Sequence, residues 1–362
     1  MERKIRSQDG SPAFGTFTFA LLLGASMSCG AACSDGGTTE PKEKTAHAVV
    51  DAGKDAAIQA DAAILADSGA APSGQSLQLS MLAQIGVAVQ DAAAASDAFT
   101  RMLGIGPWTI VEQKGKNAEG SPFVARVAYA YVGALEIELV EVTSGTTPQT
   151  QFLRDHGEGL YDLGFFVDDV DADVARLTGR GATVLLQEPG EWAYIDSPDA
   201  GGVIFKLVKT REKRPVDETG FEPPQDTLRP VKLDHVGAWA VDARAVTAQW
   251  ESAFGIGSWN IFPYTVTPDM GDPLEATLAF TAALGPTQVE LVQPTQGTVP
   301  AELRRGDGRG LWEIAIAVTD PDAETAQLVD LGARVIVQAT GTTSVVDIGA
   351  GGVAIELFVP GA

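Results

Sequence analysis

The chain has 362 residues, of which 45% are hydrophobic and 20% charged, so it can bury two substantial cores and disorder along its whole length is excluded. Its 48 acidic and 25 basic residues give a formal net charge of −23. That balance repels nucleic acid and anionic lipid, because affinity for phosphate needs clustered Lys and Arg, and it argues against a nucleic-acid partner. It either favours cationic small molecules or serves only solubility.

In chain order, Arg3, Lys4 and Arg6 precede an apolar run from Phe14 to Met27 that is too short to span a membrane comfortably and has the pattern of an export signal. The only cysteines, Cys29 and Cys33, end that run. "GAAC", followed by Ser34 and Asp35, resembles a bacterial lipoprotein cleavage site with Cys33 as the lipidated residue, although Gly30 stands where such sites usually carry Leu. Cys29 and an ordinary signal-peptidase cut near Ala31 or Ala32 are the alternatives. Residues 1–33 are thus expected to send the chain to the cell envelope, in contact with the membrane only through an N-terminal lipid anchor. Residues 34–77, rich in Ala and Asp and lacking bulky apolar residues, are expected to form a linker.

The remainder is an internal duplication. "DAAAASDAFTRMLGIGPWTI" from Asp91 returns as "DARAVTAQWESAFGIGSWNI" from Asp242, an offset of 151 residues that also carries Trp108 to Trp259, Gly159 to Gly310 and Gly181 to Gly332. A period of that size is one domain repeated rather than a solenoid. The boundaries are 78–209 and 231–362, separated by a charged, Pro-rich linker at 210–230.

Within the first repeat, strand "IGVAV" at Ile85 leads through Asp91 into helix "AAAASDAFTRMLG", which Gly104 ends, and strands follow at "ARVAYAYV" and "ALEIELVEV". After the turn-rich "HGEG", strand "YDLGFFV" precedes helix "DDVDADVARLTGRGA". Strands "TVLLQ", "WAYIDS" and "GVIFKLV" complete a second series. "GIGPW" closes a helix instead of opening one and lacks a following Lys, so it is no phosphate loop and no nucleotide cofactor is expected. Trp108 and Trp259 are expected to anchor a helix end on the sheet.

Paired βαβββ modules beginning "QIGVAVQD" and "LGFFVDDVDA" resemble the vicinal-oxygen-chelate superfamily, which includes glyoxalase I, methylmalonyl-CoA epimerase, extradiol dioxygenases and bleomycin-resistance proteins. "GIGPW", "FLRDHGEGLYDLGFFVDDVDA" and "GGVAIELF" look most like its epimerase-like branch. The resemblance implies an α+β fold of two tandem domains, each a half-open cup, with metal ligands on the first and last strands of each module.

In the second repeat those positions are His235, Glu290, Glu313 and Glu356. Val289 and Leu291 flank Glu290, and Ile355 and Leu357 flank Glu356, so strand alternation turns the carboxylates to one face and the aliphatic residues to the other. Gly237 and Ala315 leave room on the carboxylate face. Three converging carboxylates repel one another unless a cation lies among them, and one imidazole with three carboxylates suits Mn, Mg, Co or Zn. The superfamily more often has His where this chain has Glu313. With His47 and His156 placed in the linker and a loop, oxygen activation by two His and one carboxylate is disfavoured. The alternative is an open cup in which Glu290 and Glu356 are solvated or paired with Arg.

The equivalent first-repeat residues are Gln84, Glu138, Asp162 and Lys206. An ammonium in the fourth place repels a metal, and Lys206 is expected either to pair with Glu138 and Asp162 as a salt-bridged remnant or to serve as an anion site or base. Tyr161, Trp192, Trp239 and Trp312 are either packing residues or a flat ligand wall. Beside the blander reading of a purely structural duplicated domain at the cell surface, function then divides in two. One branch is a metal-dependent isomerase or lyase for a small molecule with neighbouring oxygens, with Glu290 or Glu356 as the catalytic base. The other is a non-catalytic small-molecule binding or sequestering lipoprotein of the bleomycin-resistance type. Fused repeats can replace the dimer of single-copy relatives, so a monomer is expected.

Overall fold

A computed structural model of the chain describes residues 76–360 other than 231, 270–272, 282, 298, 301–302, 304–308 and 350. The segment expected to be an export signal, with Cys29 and Cys33, and the expected linker up to residue 75 lie outside the described residues. Among the described residues, no helix is long and apolar enough to cross a membrane.

The first repeat builds one eight-stranded mixed sheet. Its first module is β1 (Leu82–Ala88), α1 (Ala92–Leu103), β2 (Thr109–Lys116), β3 (Pro122–Val132) and β4 (Leu135–Ser144). An extra helix α2 (Pro148–His156) leads into the second module: β5 (Gly159–Val167), α3 (Val170–Thr178), β6 (Thr183–Glu188), β7 (Trp192–Asp196) and β8 (Ile204–Lys209). The second repeat gives β9 (His235–Trp239), α4 (Ala243–Phe254), β10 (Asn260–Val266), β11 (Leu274–Phe280) and β12 (Gln288–Gly297). It continues with β13 (Gly310–Ala317), α5 (Pro321–Asp330), β14 (Arg334–Ala339), β15 (Thr343–Asp347) and β16 (Ala354–Phe358). Strand order is β2-β3-β4-β1-β5-β8-β7-β6 in one sheet and β10-β11-β12-β9-β13-β16-β15-β14 in the other. The two modules of each repeat therefore meet where their first strands pair antiparallel, β1 with β5 and β9 with β13.

Local chemistry accounts for the helix limits. Asp91 and Asp242, in extended conformation, accept from backbone N–H groups of the first turns of α1 and α4. Gly104 and Gly255 end these helices in the left-handed region, at φ 64° and 68°. Helix α2 is absent from the strand-rich sequence reading because it is short and polar and shows no apolar stripe. Only Pro148 at its first turn after Thr147 marks it. His156 is accordingly the last residue of this helix, its ring 5.1 Å from that of Phe152, and does not lie in a loop.

The two repeats do not bury two separate cores on the helical side. Apolar side chains from both form one continuous cluster, in which Phe205 of β8 stacks on Phe254 of α4 with ring centroids 3.8 Å apart and Trp250 meets Phe205 at 4.8 Å. Two straps tie the halves. Leu77 and Leu79, ahead of β1, donate backbone hydrogen bonds to Ala253 and Phe254 at the end of α4 (3.2 and 3.0 Å). Leu228 and Arg229, ahead of β9, donate to Met102 and Leu103 at the end of α1 (3.3 and 3.1 Å). The segment 210–230 is thus more than a spacer, and Leu77 belongs to the folded unit rather than to the linker.

A Cβ on Gly255 would fall 2.0 Å from the Leu77 carbonyl oxygen, whereas one on Gly341, also at positive φ, would meet nothing within 4 Å. Gly255→Ala is expected to lower the melting temperature by several degrees more than Gly341→Ala in thermal unfolding, since both carry the backbone strain but only the first collides with the strap.

Candidate metal centre

The four central strands of the second sheet, β12-β9-β13-β16, each supply one of Glu290, His235, Glu313 and Glu356. Register staggers them: Glu290 and Glu313 both lie opposite Gly237, and His235 and Glu356 both lie opposite Ala315. Each small residue leaves the space that its neighbours' long side chains fill. A Cβ on Gly237 would fall 2.3 Å from Glu313 Oε1. One potential ligand atom from each of the four residues lies within 4.8 Å of the others.

This cluster is buried, and its polar atoms are incompletely satisfied. His235 Nε2 sits 3.3 Å from an oxygen of Glu290 and 3.3 Å from one of Glu356, yet hydrogen-bond geometry is met with neither, and Glu313 Oε2 also has no hydrogen-bond partner. Buried polar atoms without partners are uncommon in folded proteins, and here they converge on one point. Burial, followed by the charges of Glu356 and Glu290, pushes Glu313 well above the ordinary carboxylate range. Burial disfavours a charged His235, but Asp234, Glu290 and Glu356 outweigh it and hold the imidazole well above its usual value. Asp234 Oδ1 lies 3.3 Å from His235 Nδ1, leaving Nε2 to face the carboxylates. A divalent cation fits this arrangement: it would take up the unpartnered nitrogen and carboxylate oxygens and offset the repulsion among three acidic groups.

Over the cluster lies a cavity of about 120 Å³, lined by Glu290, Glu313 and Glu356 at its floor and by Trp239, Trp312 and Tyr264 among its walls. The two indoles stack at 4.5 Å with planes 20° apart, buried within an apolar cluster and bordering the cavity. Burial and then the charges of Glu356, Glu290 and Glu313 push the Tyr264 hydroxyl up to about 12. Trp108 and Trp259 lie outside the cups and donate to the carbonyls of Ile105 and Ile256 (2.9 and 3.1 Å), pinning the turns after α1 and α4.

The first cup has the same backbone and a different chemistry. Gly86 lies opposite Glu138 and Asp162, and Gly164 lies opposite Gln84 and Lys206. Lys206 forms a buried ion pair with Glu138, whose other oxygen accepts from Arg214 at 2.8 Å. Arg214 also pairs with Glu136, which in turn accepts from Tyr131 (2.6 Å) and Gln84. Burial alone would raise Glu138, but Lys206 and Arg214 hold it down at about 2. Asp162 departs from the expected salt-bridged remnant: Lys206 pairs with Glu138 alone, and both Asp162 oxygens are buried without a hydrogen-bond partner. Burial pushes Asp162 up to about 7 despite the attraction of Lys206. Tyr161 packs edge-on between Phe152 and Tyr194 (5.3 and 5.7 Å), while Trp192 lines the cavity of this cup.

A family model described as "Glyoxalase/Bleomycin resistance protein/Dioxygenase superfamily" matches residues 83–194 and 234–347, more than half of the chain and once in each repeat. The chain belongs to this superfamily. Among solved structures, a mutant of 4-hydroxymandelate synthase from Streptomyces coelicolor is similar at 18% identity and a TM-score of 0.56, covering 78% of this chain and 92% of that one. A xylose isomerase-like TIM barrel/4-hydroxyphenylpyruvate dioxygenase fusion protein matches at 15% identity and a TM-score of 0.47, over 79% of this chain and 50% of that one. No curated protein sequence matches the chain. At 18% identity the likeness to the synthase is one of fold.

Two residues of the first cup of this superfamily member escaped the sequence reading. Glu136 stands two positions before Glu138 and therefore on the same face of β4, a signal that alternation does carry. Arg214 had no such signal, because it arrives from the connector rather than from a strand.

Asp162 gives a pH test. Folded, it holds its proton to about pH 7, whereas unfolded it releases it near pH 4, so its contribution to stability falls progressively as pH rises through that window, and this pH-dependent loss is absent below it. Asp162→Asn is therefore expected to raise the melting temperature over the parent protein at about pH 8, with the gain vanishing at about pH 4. Equal gains at both pH values in thermal unfolding would contradict this.

Proposed function

We propose that the second domain is a metal-dependent isomerase or lyase site acting on a small molecule with neighbouring oxygen atoms. The observation that carries this is the convergence, within 4.8 Å, of one ligand atom from each of His235, Glu290, Glu313 and Glu356 in a buried cup with an aromatic-walled cavity above it. These four side chains would hold the cation, and their nitrogen and oxygen donors suit Mn, Mg, Co or Zn. A bound divalent cation would supply Lewis-acid stabilisation of negative charge on a substrate oxygen.

The side chains divide the remaining work. Glu356 is the most exposed of the four, with 19% of its side chain accessible against 8% for Glu290, and it accepts from Thr343 Oγ1 at 2.9 Å. It is placed to exchange a proton with a molecule in the cavity, and Glu290, also at the cavity floor, is the second candidate for that role. Glu313, whose carboxyl is held above the ordinary range, resists ionisation unless a cation is present. Trp239 and Trp312 orient a flat, apolar part of the substrate and exclude water.

A single imidazole does not supply the two-His set of oxygen-activating sites, which supports proton transfer over oxygenation. We further propose, on the leader sequence alone, that the chain is exported and anchored through Cys33. An envelope location removes it from cytoplasmic glutathione adducts and coenzyme A thioesters. The apolar wall of the second cavity also supports the alternative of a non-catalytic binding protein.

Metal analysis of the purified full chain separates the two. The expected result is one equivalent of a divalent metal per chain, lost in the double variant His235→Ala with Glu356→Ala while circular dichroism shows the fold retained. A well-folded parent protein that takes up no metal from Mn, Mg, Co or Zn solutions would favour the binding reading.

A further inference from the structure

The first cup is more than a degenerate copy of the second. Its ionic groups form an alternating chain, Lys206–Glu138–Arg214–Glu136–Arg211, in which each carboxylate bridges two cations and both ends are cationic. Three positive groups thus face two negative ones, on a protein whose formal net charge is −23. The end groups are under-used. Lys206 can donate three hydrogen bonds and makes one, to Glu138, with its ammonium 5.4 Å from the centre of the Tyr194 ring. Arg211 touches a carboxylate only at 3.5 Å, through one nitrogen, and lies 5.9 Å from the Phe166 ring centre. Arg214 is fixed between them by two carboxylates, with its guanidinium 3.7 Å from the centre of the Tyr129 ring.

All three cations border a cavity of about 350 Å³, roughly three times that over the second cup, and its walls include Phe123, Val127, Val140, Leu186 and Trp192. Gln84, on the same lining, is 1% exposed and its Oε1 has no hydrogen-bond partner. An unpartnered buried acceptor beside under-used donors marks a place where a ligand completes the hydrogen bonding. A divalent cation is repelled from this floor by Lys206 and Arg214. A bare inorganic anion would leave the apolar walls wet.

We infer that the first cup is a metal-independent binding site for a small organic carboxylate with an apolar or aromatic body, its anionic end drawn to the cationic groups that border the cavity, Lys206 and Arg211 above all, and its body lying against Trp192 and Leu186. Arginine from the connector and lysine from β8 present N–H groups suited to a carboxylate. The lining carries four cations, Lys206, Lys209, Arg211 and Arg214, against the carboxylates Glu112, Glu138 and Glu191, a small positive excess on a protein of formal net charge −23. A hydroxyl on the ligand would satisfy Gln84 Oε1.

Isothermal titration of the full chain with benzoate and with isobutyrate, using benzylamine and benzyl alcohol as cationic and neutral controls, tests the inference. The expected result is saturable binding of at least one carboxylate at one site per chain, with neither control matching it. Arg211→Gln, at a side chain already 31% exposed and so safe for folding, should weaken that binding tenfold or more. Lys206→Gln should do the same where its circular dichroism matches the parent. The His235→Ala with Glu356→Ala variant should bind the carboxylate unchanged, which keeps this result separate from the fate of the metal centre. Absence of binding by both carboxylates, equal binding of benzylamine, or insensitivity to Arg211→Gln would overturn the assignment.

Discussion

Everything proposed for this molecule depends on a steric pairing across four central strands, in which a long polar side chain always lies beside a residue with little or no side chain. Gly237 makes the space into which Glu313 folds, and Ala315 stands between His235 and Glu356. Bulkier residues at either point would push the polar groups apart and convert a shared point into separate, solvated carboxylates. The aliphatic neighbours on the reverse face, Val289, Leu291, Ile314, Ile355 and Leu357, are almost fully buried under the helices and hold the strands in register. The cost of confining three acidic groups in one place is thus carried by the apolar face of the same strands.

The two cups show how few substitutions turn one chemistry into another on a fixed backbone. Glu356 and Lys206 occupy equivalent positions, as do Glu313 and Asp162, and Gly237 and Gly86 provide the same gap. Exchanging one carboxylate for an ammonium reverses the sign at the floor and removes the mutual repulsion that calls for a metal. The shorter Asp162 then stays behind without a partner, where its longer counterpart Glu313 reaches the cluster. The aromatic complement changes too: Trp239 and Trp312 have Ala88 and Tyr161 as their first-repeat counterparts, which leaves the first cup wider.

Much of this was legible in the residues. The duplication with its constant offset located both repeats, period-two alternation turned Glu290, Glu313 and Glu356 to one face, and Asp91, Asp242 and the following glycines marked the helix ends. What escaped lacks a local signature. Helix α2 has no apolar stripe, Arg214 reaches the first cup from a segment that reads as a spacer, and the merging of two cores at Phe205 and Phe254 joins residues that are far apart in sequence. Side-chain length was the other hidden variable. Composition alone did not show that Lys206 would pair with Glu138 and leave Asp162 without a partner.

The straps ahead of β1 and β9 make each repeat the keeper of its sibling's helix end. Leu77 closes α4 and Leu228 closes α1, at positions related by the same offset of 151 residues that relates the repeats themselves. Neither half therefore owns all of its own fastenings. Severed between Leu228 and the start of β9, the chain would yield an N-terminal piece that keeps both clasps and a C-terminal piece that keeps none, so the pair would be unequal in solution despite their common fold.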